Sequence, residues 1–491
     1  MVKMGERNGS GDNPVDVSVL SFNELFTSKD WPLAVDTYQR GFVWHHDKIA
    51  QLIDDLVAYQ GIQTSKPPYF MGTVLLHRSA EKRKRYVIDG QQRLTALCVL
   101  YYCLHKKLPP QCALRYSPAS ARLIRAAAHQ FRQATKRPDA TLFEHVKFTV
   151  VQVDQVDLAF TFFDTQNNRG VPLHATDLLK AYHLRAVTGA TTAQQENLQT
   201  QCARRWEQLQ NGKAVLSHEK ALVQAMFTRL LWRARRWTGR RALEGNHDAL
   251  LHEFQSQSLH ASDAHNTVPL YQARSNRRAL SLTLAEDGRG ALQLTEISLS
   301  PHAADLPFAI RQPIHRGLGF FLYADKYAAM LRRLMRDATS DRDVLRFRDV
   351  YHGLMRKNSL FLEEIFLLSV LFYADQFGSE RLYEFSLWLE HALGAVRVEK
   401  QQVRQESAQK FFRDAPVMNL LDVIAGAFRP DQVIDHLKSQ RYESYRSEEI
   451  DAEKSGVQAA YKRAVLDYYG QPLGCSLAAK GDWVARQLSK G

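Results

Sequence analysis

The stretch RYVIDGQQRLTALCVLYYCL, residues 85–104, decides how the first part of the chain is built. Tyr86, Val87 and Ile88 read as a short buried strand. Asp89-Gly90 breaks it, and from Gln91 an apolar pattern at helical spacing begins with Leu94, Leu97, Tyr101 and Leu104. A strand turning through Asp-Gly into a helix leaves backbone N–H groups without partners at the turn, with the positive end of the helix dipole behind them. Such a turn suits phosphate, and this one carries Arg93 beside the amides Gln91 and Gln92. The same residues also fit an Asp cap on an ordinary amphipathic helix, with its polar groups in water.

Outward from that turn, the 491-residue chain has room for two or three cores at a prior of roughly 150 residues per domain. No run of about 18 apolar residues occurs, so no membrane span is expected. The N-terminus is polar and lacks the apolar core of a signal peptide, which points to a cytoplasmic protein with a disordered lead-in. Five cysteines form no CxxC pair, so reduced thiols are expected rather than a zinc site. The formal net charge of +13 favours an anionic partner such as nucleic acid or nucleotide.

In chain order, residues 17–26 read as a strand and a short helix. An extended segment, 33–44, ends in Tyr38-Gln39-Arg40, Phe42 and Trp44. A helix follows His46-Asp47, with Ile49, Leu52, Ile53 and Leu56 on one face. Residues 69–76 and 148–153 read as strands. Within 160–180, a turn at Asn167, Asn168 and Gly170 leads to a helix from about His174, with Lys180 about one turn after Asp177. Asn and Gly there suit a left-handed backbone, and the amide of Asn167 could also face a ligand.

Four blocks, TYQRGFVW (37–44), YFMGTV (69–74), VIDGQQRLTAL (87–97) and FDTQNNRGVPLHATDLLKA (163–181), together resemble the N-terminal domain of GmrSD-type restriction enzymes. The likeness covers residues 17–185 approximately. Phe163, Asn167 and Gly170 meet the family's Phe, three residues, Asn, two residues, Gly pattern. A more distant likeness to ParB-type domains implies the same α/β core. The resemblance implies nucleoside triphosphate binding and hydrolysis at the Asp-Gly-Gln-Gln-Arg element, in a system that defends bacteria against phage with modified DNA. On that basis Asp89 holds Mg²⁺ or the attacking water, and Gln91 and Gln92 orient phosphate or water. Arg93 balances phosphate charge, and Gly90, Asn167, Gly170 and Lys180 complete a site for GTP or ATP. Tyr38, Gln39 and Arg40 sense modified DNA. No Walker A motif appears, so a P-loop enzyme is not expected.

Two-part members of that family carry an HNH nuclease, fused downstream or on a partner subunit. Here His247-Asp248 with His252-Glu253, and His260 with His265-Asn266, are the only clusters, and their five-residue spacing splays them on a helix. They read as solvated loop histidines. Residues 229–241, RLLWRARRWTGRR, interleave Trp232 and Trp237 with arginines. Arg233, Arg235 and Arg236 fit phosphate contact, with tryptophan for stacking. Alternatively Leu230, Leu231 and Trp237 are core and the arginines a solvated face. Residues 246–265 read as a linker or insertion, 278–300 as a β-hairpin, and the chain from Gly317 onward as mostly helix.

The expectation is an α+β protein: a ParB-like N-terminal α/β core carrying the strand–turn–helix, followed by a mainly helical region with a β-hairpin. Residues 1–16 form the lead-in, 17–190 the nucleotide domain, 191–320 a basic helical region and 321–491 a helical domain. The function expected is a nucleotide-dependent component of a type IV restriction-like system, with DNA, an HNH nuclease subunit and further copies of itself as partners. The alternatives are a non-catalytic module that senses DNA or its modification, and a standalone endonuclease.

Overall fold

The computed structural model describes all residues except 1–14, 28–30, 37–40, 62–66, 117, 156–157, 160–173, 214, 218, 220, 261–266, 272–279, 285–288, 295–302, 357, 416–417 and 491. The chain divides into two compact units, residues 1–173 and 174–491.

The first unit is organised by a six-stranded mixed sheet. Its strands are β1 (Val15–Ser21), β2 (Leu33–Ala34), β3 (Tyr69–Ser79), β4 (Lys84–Asp89), β5 (Cys112–Ala113) and β6 (Val146–Val153), in the order β1-β6-β3-β4-β2-β5. β6 lies antiparallel to β1 and parallel to β3, while β3 and β4 form an antiparallel pair. Its buried residues Val146, Phe148 and Val150 fall at every second position, as a pleated strand with one face in the core requires. Between β1 and β6 the chain enters the short helix α1 (Phe22–Thr27) through a reciprocal cap. The Ser21 backbone N–H donates to Glu24 Oε2 at 2.6 Å, and the Glu24 N–H donates to Ser21 Oγ at 3.2 Å. Those Ser21 bonds hold the Glu24 carboxyl below its usual range.

Helices α2 (His46–Gln60), α3 (Gln91–His105) and α4 (Pro118–Gln133) close the core. α2 buries Ile49, Leu52, Ile53 and Leu56, the face its spacing predicts. α3 buries nearly every residue from Gln91 to Leu100, so it is a central helix and not a surface one.

The second unit is mainly helical. It opens with α5 (Ala175–Arg185) and α6 (Thr192–Gln210), and continues through α7 (Leu222–Ala225), a π-helical turn (Met226–Leu231) and α8 (Trp232–Arg236). The expected hairpin is present as β7 (Leu280–Leu284) and β8 (Gly290–Leu294), antiparallel with Leu282 opposite Leu292. The stretch read as a linker is instead built into the fold. Asn246 caps a helix (His247–Leu251) by accepting from the Ala249 N–H at 2.8 Å, and a π-helical turn (His252–Ser256) follows. Leu250 and Phe254 from this stretch are buried. Two apolar residues four apart seat it, which polar composition alone conceals.

The helix α9 (Leu360–Phe377) is buried on nearly every side and still carries Glu363, Glu364 and Asp375. Each has partners: Asp375 accepts from Lys326 Nζ at 2.5 Å and from the Ile310 N–H at 2.9 Å. Buried carboxylates persist only when paired in this way. Among the described residues no helix is long and apolar enough to cross a membrane.

Candidate functional site

The turn after β4 is set by glycine. Gly90 has φ +91°, and a Cβ placed there would lie 2.9 Å from Val74 Cγ2, so the position tolerates no side chain. The left-handed residue ends β4 at Asp89 and starts α3 at Gln91, with no side chain capping the first turn. Its first N–H groups carry the positive end of a 15-residue helix. Beside them the Asp89 side chain is 37% exposed, a carboxylate at the rim of the sheet.

Arg93 is not the solvent-facing first-turn residue its position suggests. Its guanidinium folds back onto β3, donating to the Met71 carbonyl, to the Thr73 carbonyl at 2.7 Å and to Asp89 Oδ2 at 3.5 Å. The two carbonyls flank Gly72, where β3 slips register against β6 between Phe70 and Thr73. Gly72 has φ +85°, and a Cβ there would lie 2.6 Å from Arg93 Nη1. Thus a bulge in β3, a glycine that leaves room, and an arginine that satisfies the freed carbonyls form one device. A glycine inside the strand YFMGTV was the available signal for that bulge.

Gln91 and Gln92 are both buried. The Gln92 amide is spent on backbone: its Nε2 donates to the Gly41 carbonyl at 3.0 Å, and its Oε1 accepts from the Val43 N–H at 2.9 Å. The expectation that Gln92 orients phosphate or water is therefore corrected to a positioning role on residues 41–43. Ser120 of α4 holds the same segment from its other side, accepting from the Phe42 N–H at 3.0 Å. Nothing in the sequence pattern marked Ser120. Thr95 Oγ1 donates to the Gln91 carbonyl at 2.7 Å and pairs with the Tyr116 hydroxyl. Burial pushes that phenol well up.

Among the other predicted residues, Tyr38, Gln39, Arg40, Asn167 and Gly170 lie outside the described residues. Lys180 belongs to the second unit, on α5. It is 1% exposed with its Nζ 3.6 Å from Glu207 Oε1, and burial lowers its pKa.

The arginine–tryptophan stretch follows neither sequence reading. Leu230, Leu231 and Trp237 are core, but Arg233 is buried with them at 2% exposure. Its Nη1 donates to Glu364 at 2.6 Å, its Nη2 lies 3.0 Å from Glu244, and its guanidinium sits over the Trp237 ring. Arg235 donates to Glu253 at 2.5 Å and to the carbonyls of Ile310 and Gln312 at 2.6 Å each. Both are turned inward, so the expected phosphate-binding role is corrected for Arg233 and Arg235. Arg236 is 52% exposed.

His247 and His252 sit on the outside of a helix, while Glu253 points inward to Arg235. Among the described residues no group of three or more His, Cys, Asp or Glu is placed to hold a metal. Asp89 is thus a single hard oxygen donor, which fits Mg²⁺ held by one carboxylate and phosphate oxygens.

Two family models match this chain. The model of the GmrSD restriction endonuclease N-terminal domain matches residues 22–184, so that stretch is a GmrSD-type N-terminal domain. No curated protein matches the chain. The model of the family of unknown function DUF7834 matches residues 198–452, more than half the length, and the chain belongs to that family.

Proposed function

Because a DUF7834 chain here carries a GmrSD-type N-terminal domain, we propose that it is a nucleotide-dependent component of a restriction system that acts on modified DNA. The observation that carries this reading is the turn itself: a helix N-terminus behind a left-handed glycine that lets backbone approach closely, a half-exposed Asp89 carboxylate and the Arg93 charge 3.5 Å from it. That combination offers N–H donors and positive charge to the phosphates of GTP or ATP. In this reading Asp89 holds Mg²⁺ or orients the attacking water, and the metal supplies charge neutralisation on the phosphates when bound. Arg93 keeps the bulge in place and leaves its positive charge beside Asp89. Gln92 ties the site to residues 41–43, which follow the Tyr38-Gln39-Arg40 element proposed to sense the DNA.

Asn167 and Gly170 stand as further nucleotide contacts of the proposal, and an HNH nuclease subunit and a second copy as partners. The geometry also gives one point in favour of a non-catalytic module, since Gln92 and much of Arg93 are committed to the protein's own backbone. Titrating the full-length protein with GTP and with ATP in Mg²⁺, by calorimetry, separates the two. The proposal expects saturable binding of one of them that Asp89→Asn weakens. Heat indistinguishable from dilution for both nucleotides would reject it.

A further inference from the structure

Between Asp89 and Asp139 the chain carries nine Lys and Arg residues and no Asp or Glu. The whole chain has 65 Lys and Arg against 52 Asp and Glu, so a stretch with nine cations and no carboxylate is locally far more basic than the rest. Structure turns it into a surface. Arg122, Arg125, His129 and Arg132 on α4 are all exposed. Their spacing of three, four and three residues places them within about 80° of one another around the helix, and along about 15 Å of its axis. Lys136, just beyond the helix, is exposed as well.

Among the described residues no carboxylate pairs with Arg122, Arg125 or Arg132. That contrasts with Arg233 and Arg235, which are folded into ion pairs. Like charges repeated three and seven residues apart repel, so the stripe is costly unless an anion covers it. Beside it runs a groove of about 1050 Å³ between α2 and α4. Its apolar part includes Trp44, Ile53 and Leu123, its wall includes Arg122, His129 and Lys136, and one carboxylate, Asp54, also faces it. Cations in a row beside an indole and an apolar slot suit a polymer with regularly spaced phosphates and flat bases.

We propose that the exposed face of α4 is the surface on which this protein holds DNA by its phosphates. The inference rests on the reading that the protein acts on DNA, and adds where the strand lies. The helix is also linked to the Asp89 turn: Ser120 binds the Phe42 N–H, and Gln92 binds Gly41 and Val43 on either side of it. DNA seated on α4 thereby pulls on the same segment that Gln92 grips.

The test compares two triple variants of the full-length protein, Arg122→Gln/Arg125→Gln/Arg132→Gln and, as control, Arg342→Gln/Arg441→Gln/Arg446→Gln, which removes three exposed arginines of the second unit. Anisotropy of a labelled DNA duplex is followed over a salt series. The α4 variant is expected to lose about tenfold or more in affinity at every sequence, and to flatten the log–log salt slope by up to about 0.9 for each of the three contacts. The control triple and Arg122→Lys/Arg125→Lys/Arg132→Lys keep wild-type affinity within a few-fold. All four proteins keep one melting temperature, because the positions are exposed. If the control loses affinity and the α4 variant does not, the α4 inference is overturned while DNA binding stands. Anionic vesicles bound by wild type and lost only in the α4 variant, with DNA affinity unchanged, would overturn it in favour of a membrane. Wild type that binds no duplex at any salt overturns both this inference and the DNA reading beneath it.

Discussion

At the scale of single residues, Arg93 shows how one side chain can be both scaffold and site. A charged donor to a carbonyl contributes on the order of 1.5–3 kcal/mol, and Arg93 makes two such bonds to β3. Arg93→Ala is therefore expected to lower the unfolding free energy by about 3 kcal/mol and the melting temperature visibly. An unchanged melting curve would show that the bulge holds without it. Gly72→Ala should destabilise by about 1–2 kcal/mol, since it forces a Cβ into both a left-handed backbone and the guanidinium. From sequence, Arg93 reads as a free cation because position in a helix predicts exposure only when the helix lies on the surface. α3 lies inside, and its first turn points at a neighbouring strand.

At the scale of elements, the α8 stretch carries a related lesson. Arginine spacing and composition looked like a basic face, yet the partners that neutralise Arg233 lie 11 and 131 residues away at Glu244 and Glu364. No local window contains such pairings. Arg233→Gln should cost about 3–5 kcal/mol, because it leaves Glu364 buried without its charge partner. Arg236→Gln should stay within about 0.5 kcal/mol, as exposed changes usually do. Comparable urea midpoints for the two variants would contradict this assignment of inside and outside.

Two buried histidines give the same unit a pH dependence. His183 Nε2 donates to the Phe254 carbonyl at 2.9 Å and its ring stacks on Phe320, and burial pushes its pKa down to about 3. Burial, and then the Lys480 charge, push His391 down to about 3. A histidine held neutral when folded but free to protonate when unfolded gives stability that is complete above about pH 6.5 and is lost as pH falls below it. Each should remove about 2 kcal/mol by about pH 5. Melting temperature measured between those values should drop, and drop less in His183→Phe/His391→Phe. Equal drops in variant and wild type would assign the effect to carboxylates instead.

At the scale of the whole molecule, the parts set by short-range pattern were legible and those set by long-range pairing were not. Strand, turn and helix around Asp89-Gly90 follow from alternation, a left-handed glycine and helical spacing, and the β7–β8 hairpin from its alternating halves. The sheet order could not be read, since β6 pairs with β1 from more than a hundred residues away and with β3 from more than seventy. Nor could the α4 stripe be seen as a surface before the helix had a buried side, marked by Ala127 and Phe131. The GmrSD-type N-terminal domain was legible through its four motif blocks, and the matched family model covers the same region. Over the C-terminal half no motif offered itself, and membership of DUF7834 rests on the match over residues 198–452.

The claim on which the account turns is that the Asp89-Gly90 turn is a place of nucleotide turnover. Phosphate release from GTP and from ATP in Mg²⁺, by full-length wild type and by Asp89→Asn with matched melting temperatures, tests it most directly. The account predicts steady release by wild type from at least one nucleotide, and a loss of about 100-fold or more in the variant, on the scale of removing a group that stabilises charge in the transition state. Equal release by both proteins would contradict the role of Asp89, and no release by wild type, with or without DNA, would contradict turnover altogether.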